Sequence, residues 1–272
     1  MNVAALIEWF EDWANPDWQE DWDNCGWQIE PGILTQPAGV LVCLTPTLTV
    51  MAEAIRLKEQ GAPVNLIFAH HPLIFSPLKA VTVGNPVTDM VRLSILHGIG
   101  VYSAHTNFDQ VDNGTADTLA KLLSLGAVEP VVPGKNGPAE DGVGYGRVGD
   151  LPTPLSFNSL LSDIQTALNP PELLHSPTDV EQPIRRVAVL GGSGASFLKD
   201  VSRTGAQAYL TADCKFHQFQ EARDRNLILI DAGHYATERP ACAGLVDIFT
   251  GQGVEWAQLS EQDEDFRQFG QT

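Results

Sequence analysis

Lysine and arginine are scarce and late in this chain. Sixteen of them stand against 34 acidic residues, the formal charge is -18, and the first basic side chain is Arg56. A field of that sign repels nucleic acid and anionic membrane unless a basic patch interrupts it, and the sequence has no Lys/Arg cluster. A secretory leader needs a basic start and a transit peptide needs arginines, so neither is expected. Cysteine is sparse as well: Cys25, Cys43, Cys214 and Cys242 form no close pair and no zinc-ribbon spacing. That is the pattern of reduced thiols in a cytoplasmic protein. No apolar run approaches the roughly 20 residues of a membrane span, and there is no low-complexity tract.

What is present is an ordinary globular composition. The 272 residues, 43% of them hydrophobic, suffice for one large domain or two smaller lobes. Val3, Leu6, Ile7, Phe10 and Trp13 share one helical face, so an amphipathic helix is predicted over 3–13, ending near Asn15-Pro16. The following PDWQEDWDNCGWQ is rich in Trp and Asp, and five of the six tryptophans precede residue 28. Packing of an irregular loop accounts for them, with contact to a ligand as the other reading.

Two stretches then follow one script of strand, helix, Gly-Ala and strand, at the spacing of a βαβ unit. In the first, a strand over 40–44 leads through a turn to a helix over 48–60 and a strand over 64–69. In the second, a strand over 187–190 leads through GGSG to a helix over 195–204 and a strand over 207–211. A third strand-like run, VYSA (101–104), precedes a loop and a helix over 115–125 closed by Gly126. LILID (227–231) is another buried strand, followed by a helix from about 238 to 249. The Pro- and Gly-rich stretch 129–141 marks the best boundary, and 169–183 is a second loose stretch. The pattern predicts an α/β fold of two similar lobes, roughly 1–130 and 131–272, with the C-terminal helix free to return to the first lobe.

In parallel α/β sheets ligands bind beyond the carboxyl ends of the strands. Five of the seven histidines sit just past inferred strands. His70 and His71 follow VNLIFA, His105 and Asp109 follow VYSA, Asp213 and His217 follow AYLT, and Asp231, His234 and Glu238 follow LILI. Along a strand, neighbouring side chains point to opposite faces. At a strand terminus the backbone can turn, so adjacent imidazoles can diverge toward two cations. A pair of divalent ions about 3.5–4 Å apart needs donors around both, and His70, His71, Asp109, His234 and Glu238 supply three imidazoles and two carboxylates. Blander readings stay open for each: an incidental His-His dipeptide, an Asp109 that orients its loop, and a Glu238 paired with a helix dipole. Thr237 reads as an N-cap and Pro240 as a first-turn residue, which leaves His234 in the preceding loop. GGSG could cradle a phosphate or simply make a tight turn. His217 could exchange a proton or lie on the surface. His97 and His175 read as structural.

The stretches EDWDNCGWQ, FAHHPLIFSPLK, AHTNFDQVDNG, GYGRVGDL, GGSGASF, LTADCKFHQF and IDAGHYATERP run in order from residue 20 to 240. Together they resemble the NIF-three-like proteins, also labelled GTP cyclohydrolase I type 2 homologs, a family with a dinuclear metal centre. The resemblance implies two α/β lobes with the metals in the cleft between them, and the 129–180 connection is too short for the domain that longer members insert. It implies two divalent ions per chain (Zn, Fe, Mn, Co or Ni), with His70, His71, Asp109, His234 and Glu238 as ligands and Glu238 as the bridge. It places His105 and His217 near the site as candidate catalytic groups, and it implies a toroidal homohexamer. Thr45-Pro46 departs from the family, since many members carry an Asp-containing turn there; that Asp is not among the ligands carried over. The implied function is a metal-dependent hydrolase using a metal-bridging hydroxide on a small anionic or nucleotide-like substrate. The alternative is a non-enzymatic metal-binding scaffold or regulator.

Overall fold

The structure is a computed structural model that describes residues 1–134, 142–177 and 182–270. It divides into two compact units, Met1–Phe108 with Cys242–Glu264, and Asp109–Ala241 with Asp265–Thr272. No inserted domain interrupts them among the described residues, and no helix there is long and apolar enough to cross a membrane.

The first unit opens with α1 (Val3–Trp13), capped by the Asn2 side chain, and Val3, Leu6, Ile7 and Phe10 are buried as the periodicity predicts. Then come β1 (Gly26–Ile29), β2 (Gly39–Cys43), α2 (Leu48–Glu59), β3 (Leu66–Ala69), α3 (Pro86–His97) and β4 (Gly100–Ser103). In the second unit follow α4 (Thr115–Leu122), β5 (Gly126–Pro133), β6 (Gly144–Leu155), α5 (Phe157–Leu168), β7 (Leu174–His175), β8 (Ile184–Val189), α6 (Leu198–Val201), β9 (Ala208–Thr211), α7 (Phe216–Asp224), β10 (Ile228–Asp231) and α8 (His234–Gly251). The last strand, β11 (Trp256–Leu259), belongs to the first unit.

The sheet of the first unit has the order β1-β4-β3-β2-β11, with β4, β3, β2 and β11 parallel and β1 antiparallel at the edge. Both faces are covered, so its strands read as continuous apolar runs rather than alternating ones. Leu41, Ile67 and Val101 join Val50, Met51 and Ala54 in one core. Their neighbours Phe68 and Tyr102 pack with Phe10 and Phe249 on the other face. Val40–Cys43, Leu66–Ala69 and Gly100–Ser103 are all buried. The expected strand–helix–strand unit is therefore present, with boundaries shifted by one or two residues.

The sheet of the second unit has the order β5-β6-β8-β9-β10-β7, in which β8, β9 and β10 are parallel. Here the structure differs from the reading of the sequence in several places. Helix α4 ends at Leu122, and Gly126 opens β5 instead of closing the helix. The helix expected over 195–204 is a 3-10 turn (Gly194–Phe197) and one α-turn, α6. Ser202 and Thr204 donate their hydroxyls to the Lys199 and Val201 carbonyls at 2.8 and 2.7 Å, competing with helix continuation. The stretch expected to be loose from 129 begins as edge strand β5, where Pro130 and Pro133 are tolerated; residues 135–141 of that expected boundary lie outside the described residues, as do 178–181 of the second loose stretch. Finally, α8 begins at His234 rather than near 238, and Pro240 lies inside it.

Buried Arg147 of β6 ties the start of the second unit together. It makes a two-point ion pair with Asp117 of α4, at 3.0 and 2.8 Å. It also donates to the carbonyls of Gly144, Gly146 and Val111, while the Gly144 N–H holds the Gln110 carbonyl at 2.9 Å. The loop that carries Asp109 is thus anchored on a buried guanidinium. Removing one partner of a buried pair leaves an uncompensated charge. We expect Asp117→Ala to lower unfolding free energy by about 3–5 kcal/mol, read by urea denaturation; a loss under about 1 kcal/mol would mean that Arg147 is satisfied by carbonyls alone.

Candidate functional site

In the first unit the parallel register brings three histidines together. Cys43, Ala69 and Ser103 stand side by side in β2, β3 and β4. The ladder continues one step further, with His70 N–H on the Cys43 carbonyl, His71 N–H on Leu44 and Ala104 N–H on Ala69. His70 is buried, His71 and His105 are half-buried, and one ring nitrogen of each lies within 4.8 Å of the others. The ring centroids are 5.2 Å apart for His70–His71, 5.1 Å for His70–His105 and 5.6 Å for His71–His105.

Each ring is backed by a different partner. His70 Nδ1 lies 2.8 Å from the Ala104 carbonyl. A carbonyl only accepts, so the neutral ring carries its proton on Nδ1 and its lone pair on Nε2, the tautomer that backing groups impose on metal-ligating histidines. His71 Nδ1 lies 2.8 Å from Thr45 Oγ1. Thr45 is itself held by Asp263, which accepts from the Leu44 and Thr45 N–H groups at 2.8 and 3.3 Å. His105 Nδ1 lies 2.8 Å from Asp23 Oδ1. Burial opposes ionisation of Asp23, but the hydrogen bond and charge of His105 and the donors of Thr106 outweigh it and hold the carboxyl well below the usual carboxylate range.

Asp23 was missed by the reading of the Trp/Asp stretch as packing. Trp22 packs edge-on to His105 at 5.9 Å and lies 6.0 Å from Phe75, while remaining more than half exposed. The signal was present in the acidic residues interleaved with those tryptophans, but nothing local tied them to a histidine 82 positions away. Burial and then the Asp23 charge push the thiol of Cys25, beside Asp23, up to about 12.

In the second unit the same ends of β8, β9 and β10 collect Gly192, Asp213 and His234. Leu190 N–H bonds the Leu210 carbonyl, Ala212 N–H that of Gly192 and Ala232 N–H that of Thr211. His234 and Glu238 lie one turn apart at the start of α8, with Nε2 and Oε2 at 2.8 Å. Asp213 Oδ2 takes the other ring nitrogen at 2.7 Å. Burial would favour a neutral His234, but the Asp213 and Glu238 carboxylates raise its pKa to about 10. Asp213 is drawn down to about 2, first by the His234 hydrogen bond and against its own burial. Thr237 does not cap the helix; its hydroxyl lies 3.0 Å from the Gly233 carbonyl and accepts from the Gly192 N–H.

The GGSG turn resolves toward the tight-turn reading. Its Gly192 and Gly194 N–H groups are bonded to Thr237 Oγ1 and Thr211 Oγ1, both at 3.0 Å. Gly192 has φ +62, and a Cβ there would meet Glu238 Oε1 at 2.0 Å. The turn is shaped around the Glu238 carboxylate.

Asp109 is half-buried and accepts from Thr115 Oγ1 at 2.7 Å. His217 stands on the exposed side of α7, beside a groove lined by Gln220, Glu221, Asp224 and Arg225. Neither belongs to a close group of donor side chains among the described residues. The donor chemistry fits a borderline divalent ion. It consists of imidazoles each backed through Nδ1 and of the buried Glu238 carboxylate. The His234–Glu238 separation suits two donors on one ion with bonds of about 2.0–2.2 Å.

A family model described as Duf34/NIF3 (NGG1p interacting factor 3) matches residues 1–264. A Nostoc sp. protein named GTP cyclohydrolase 1 type 2 homolog is 63% identical over 270 residues, covering 99% of each chain. The Schizosaccharomyces pombe protein NIF3 homolog is 32% identical over 231 residues, 81% of this chain and 80% of its own. Among solved structures, a Staphylococcus aureus hypothetical protein superposes with a TM-score of 0.87 at 25% identity, over 99% of both chains.

Gly192→Ala combines a left-handed alanine with displacement of Glu238. Gly205, at φ +78 with open space around its Cα, supplies the control. Gly205→Ala should cost about 1–2 kcal/mol from backbone strain alone, and Gly192→Ala clearly more, both read by chemical denaturation. Equal losses would show that Glu238 yields without cost.

Proposed function

The chain belongs to the Duf34/NIF3 family, and from that premise we propose that it is a dinuclear metal protein with hydrolase activity on a small anionic, nucleotide-like substrate. His70, His71, Asp109, His234 and Glu238 would hold two divalent ions, with Glu238 shared between them. The observation that carries this reading is the backing of the imidazoles. His70 is set by a main-chain carbonyl, which leaves the Nε2 lone pair for a cation, and Asp213 holds Nδ1 of His234, so that Nε2 is the nitrogen a cation would take in place of its proton. When bound, a pair of divalent ions supplies Lewis acidity and lowers the pKa of water.

The chain's own residues supply the remainder. Asp23 holds His105 Nδ1, so Nε2 is the atom through which His105 exchanges a proton. Trp22 and Phe75 present aromatic surface beside His105, on which a planar group can stack. The buried Glu238 carboxylate is seated by the Gly192 turn. The acidic surface leaves the local charge of the bound ions as the attraction for an anion. We further infer a cytoplasmic toroidal homohexamer, whose six-chain mass light scattering of the purified protein tests.

Protein purified without chelators and without a nickel-affinity tag should carry two ions per chain by elemental analysis, and Glu238→Ala fewer. Asp23→Asn should leave metal content unchanged while depressing turnover about 10²–10⁴-fold, the usual worth of a general acid or base. The metal-loaded protein is then screened against phosphoesters, nucleotides, cyclic amides and, for formate release, GTP. Turnover no greater than that of Glu238→Ala across the panel, with metal retained, would overturn the hydrolase reading and leave a metal-binding scaffold.

A further inference from the structure

The stretch from Asp265 to Gly270 lies beyond residue 264, where the family match ends. Its conformation is organised around one guanidinium. Asp265 accepts from the Arg267 backbone N–H at 3.0 Å and from Nε and Nη2 of its side chain at 3.0 and 3.1 Å. The Phe269 ring lies 5.9 Å from Arg267 Cζ. So held, the guanidinium reaches Asp213, with Nη1 3.8 Å from Oδ1. It passes over Gly233, at φ +83, where a Cβ would stand 2.7 Å from Arg267 Nη2. A Cβ there would push the end of the guanidinium aside.

The other oxygen of Asp213 carries the link onward. Oδ2 accepts from His234 Nδ1 at 2.7 Å and from Ser193 Oγ at 2.6 Å. We propose that Arg267 is a positioning residue that acts on His234 through Asp213, drawing electron density from the carboxylate and so loosening the hold of His234 on a divalent cation. The proposal rests on the reading of His234 as a metal ligand.

Geometry decides that the effect is one of charge. Asp213 is already oriented by Ser193, by His234 and by its own left-handed backbone, φ 53. At 3.8 Å the Arg267 contact is an ion pair and not a hydrogen bond. A carboxylate behind a ligating imidazole strengthens it as a donor, and a cation behind that carboxylate subtracts from the gain. Arg267 also places positive charge on the side from which the metal ligand is polarised. Its side chain is 40% exposed, so the effect is screened by salt.

The test is a zinc titration of the full-length protein against a chromophoric chelator, with thermal melts to confirm folding. Arg267→Lys should match wild type. Arg267→Gln should bind zinc more tightly, by less than the roughly 10-fold at which loss of a direct backing partner begins, and Arg267→Glu more tightly again. The gap between Arg267→Gln and wild type should close between about 0.01 and 1 M salt, as the screening length falls from about 30 to about 3 Å. Asp213→Asn should weaken binding by about 10-fold or more. Zinc binding in Arg267→Gln that is equal to or weaker than wild type, while His234→Ala has lost a site, overturns the role of Arg267 and leaves the metal reading intact. If His234→Ala binds zinc as wild type does, the ligand assignment fails and takes this proposal with it.

Discussion

The register of β2, β3 and β4 is the constraint on which the histidine cluster depends. Parallel pairing sets Cys43, Ala69 and Ser103 in one row, and the three chains leave the sheet together. Because the ladder extends past the strands, His70 is fixed by two bonds to main-chain carbonyls, from its backbone N–H to Cys43 and from its ring Nδ1 to Ala104. A slip of one residue in β3 would exchange the faces of Phe68 and Ala69, breaking the aromatic layer with Phe10 and Tyr102 as well as turning the imidazoles away. The same apolar packing that stabilises the sheet therefore enforces the position of polar groups at its edge. That is why two adjacent histidines can serve one region. His70 continues the ladder and is buried, while His71, one residue further, has turned toward Thr45.

The second unit reaches a comparable arrangement by a different local device. There the strand ends deliver Asp213 and the start of α8, and close approach is made possible by glycine. Gly192 admits the Glu238 carboxylate and Gly233 admits Arg267. The left-handed Asp213 faces back toward His234 rather than continuing from β9. Non-glycine residues in that conformation carry strain, and such strain collects where side chains must be held in one orientation. In this unit the chain stores it at the residue that links a candidate ligand to the C-terminal stretch.

The charge pattern at these groups is layered. Asp23 backs His105, Asp213 backs His234, and Asp265 holds the arginine that faces Asp213. Such outer partners settle tautomer and donor strength before any ion arrives. Burial and the charge of Asp23 raise the thiol pKa of Cys25, and burial with the charge of Asp231 raises that of Cys214. The candidate ligands are nitrogen and oxygen donors, the set expected from a sequence whose cysteines show no metal-binding spacing.

The sequence by itself determined the parts whose cause is local. Apolar runs of four to six residues became the parallel strands, a 3.6-residue period became α1, and Gly98 ended α3 in the left-handed conformation. Seven stretches of matching motif were enough to identify the family. Local reasoning failed where distant partners decide. Pro130 and Pro133 looked incompatible with a strand until β6 and β8 made β5 an edge. The start of α8 was displaced by four residues because Thr237 bonds Gly192, 45 positions away, instead of capping its own helix. Asp23 and Arg267 could not be assigned at all, since a carboxylate or guanidinium has no role until tertiary contacts supply its counter-group. Hydrophobic periodicity is written into a dozen neighbouring residues, whereas a hydrogen bond between side chains is defined only by where folding brings their two backbones.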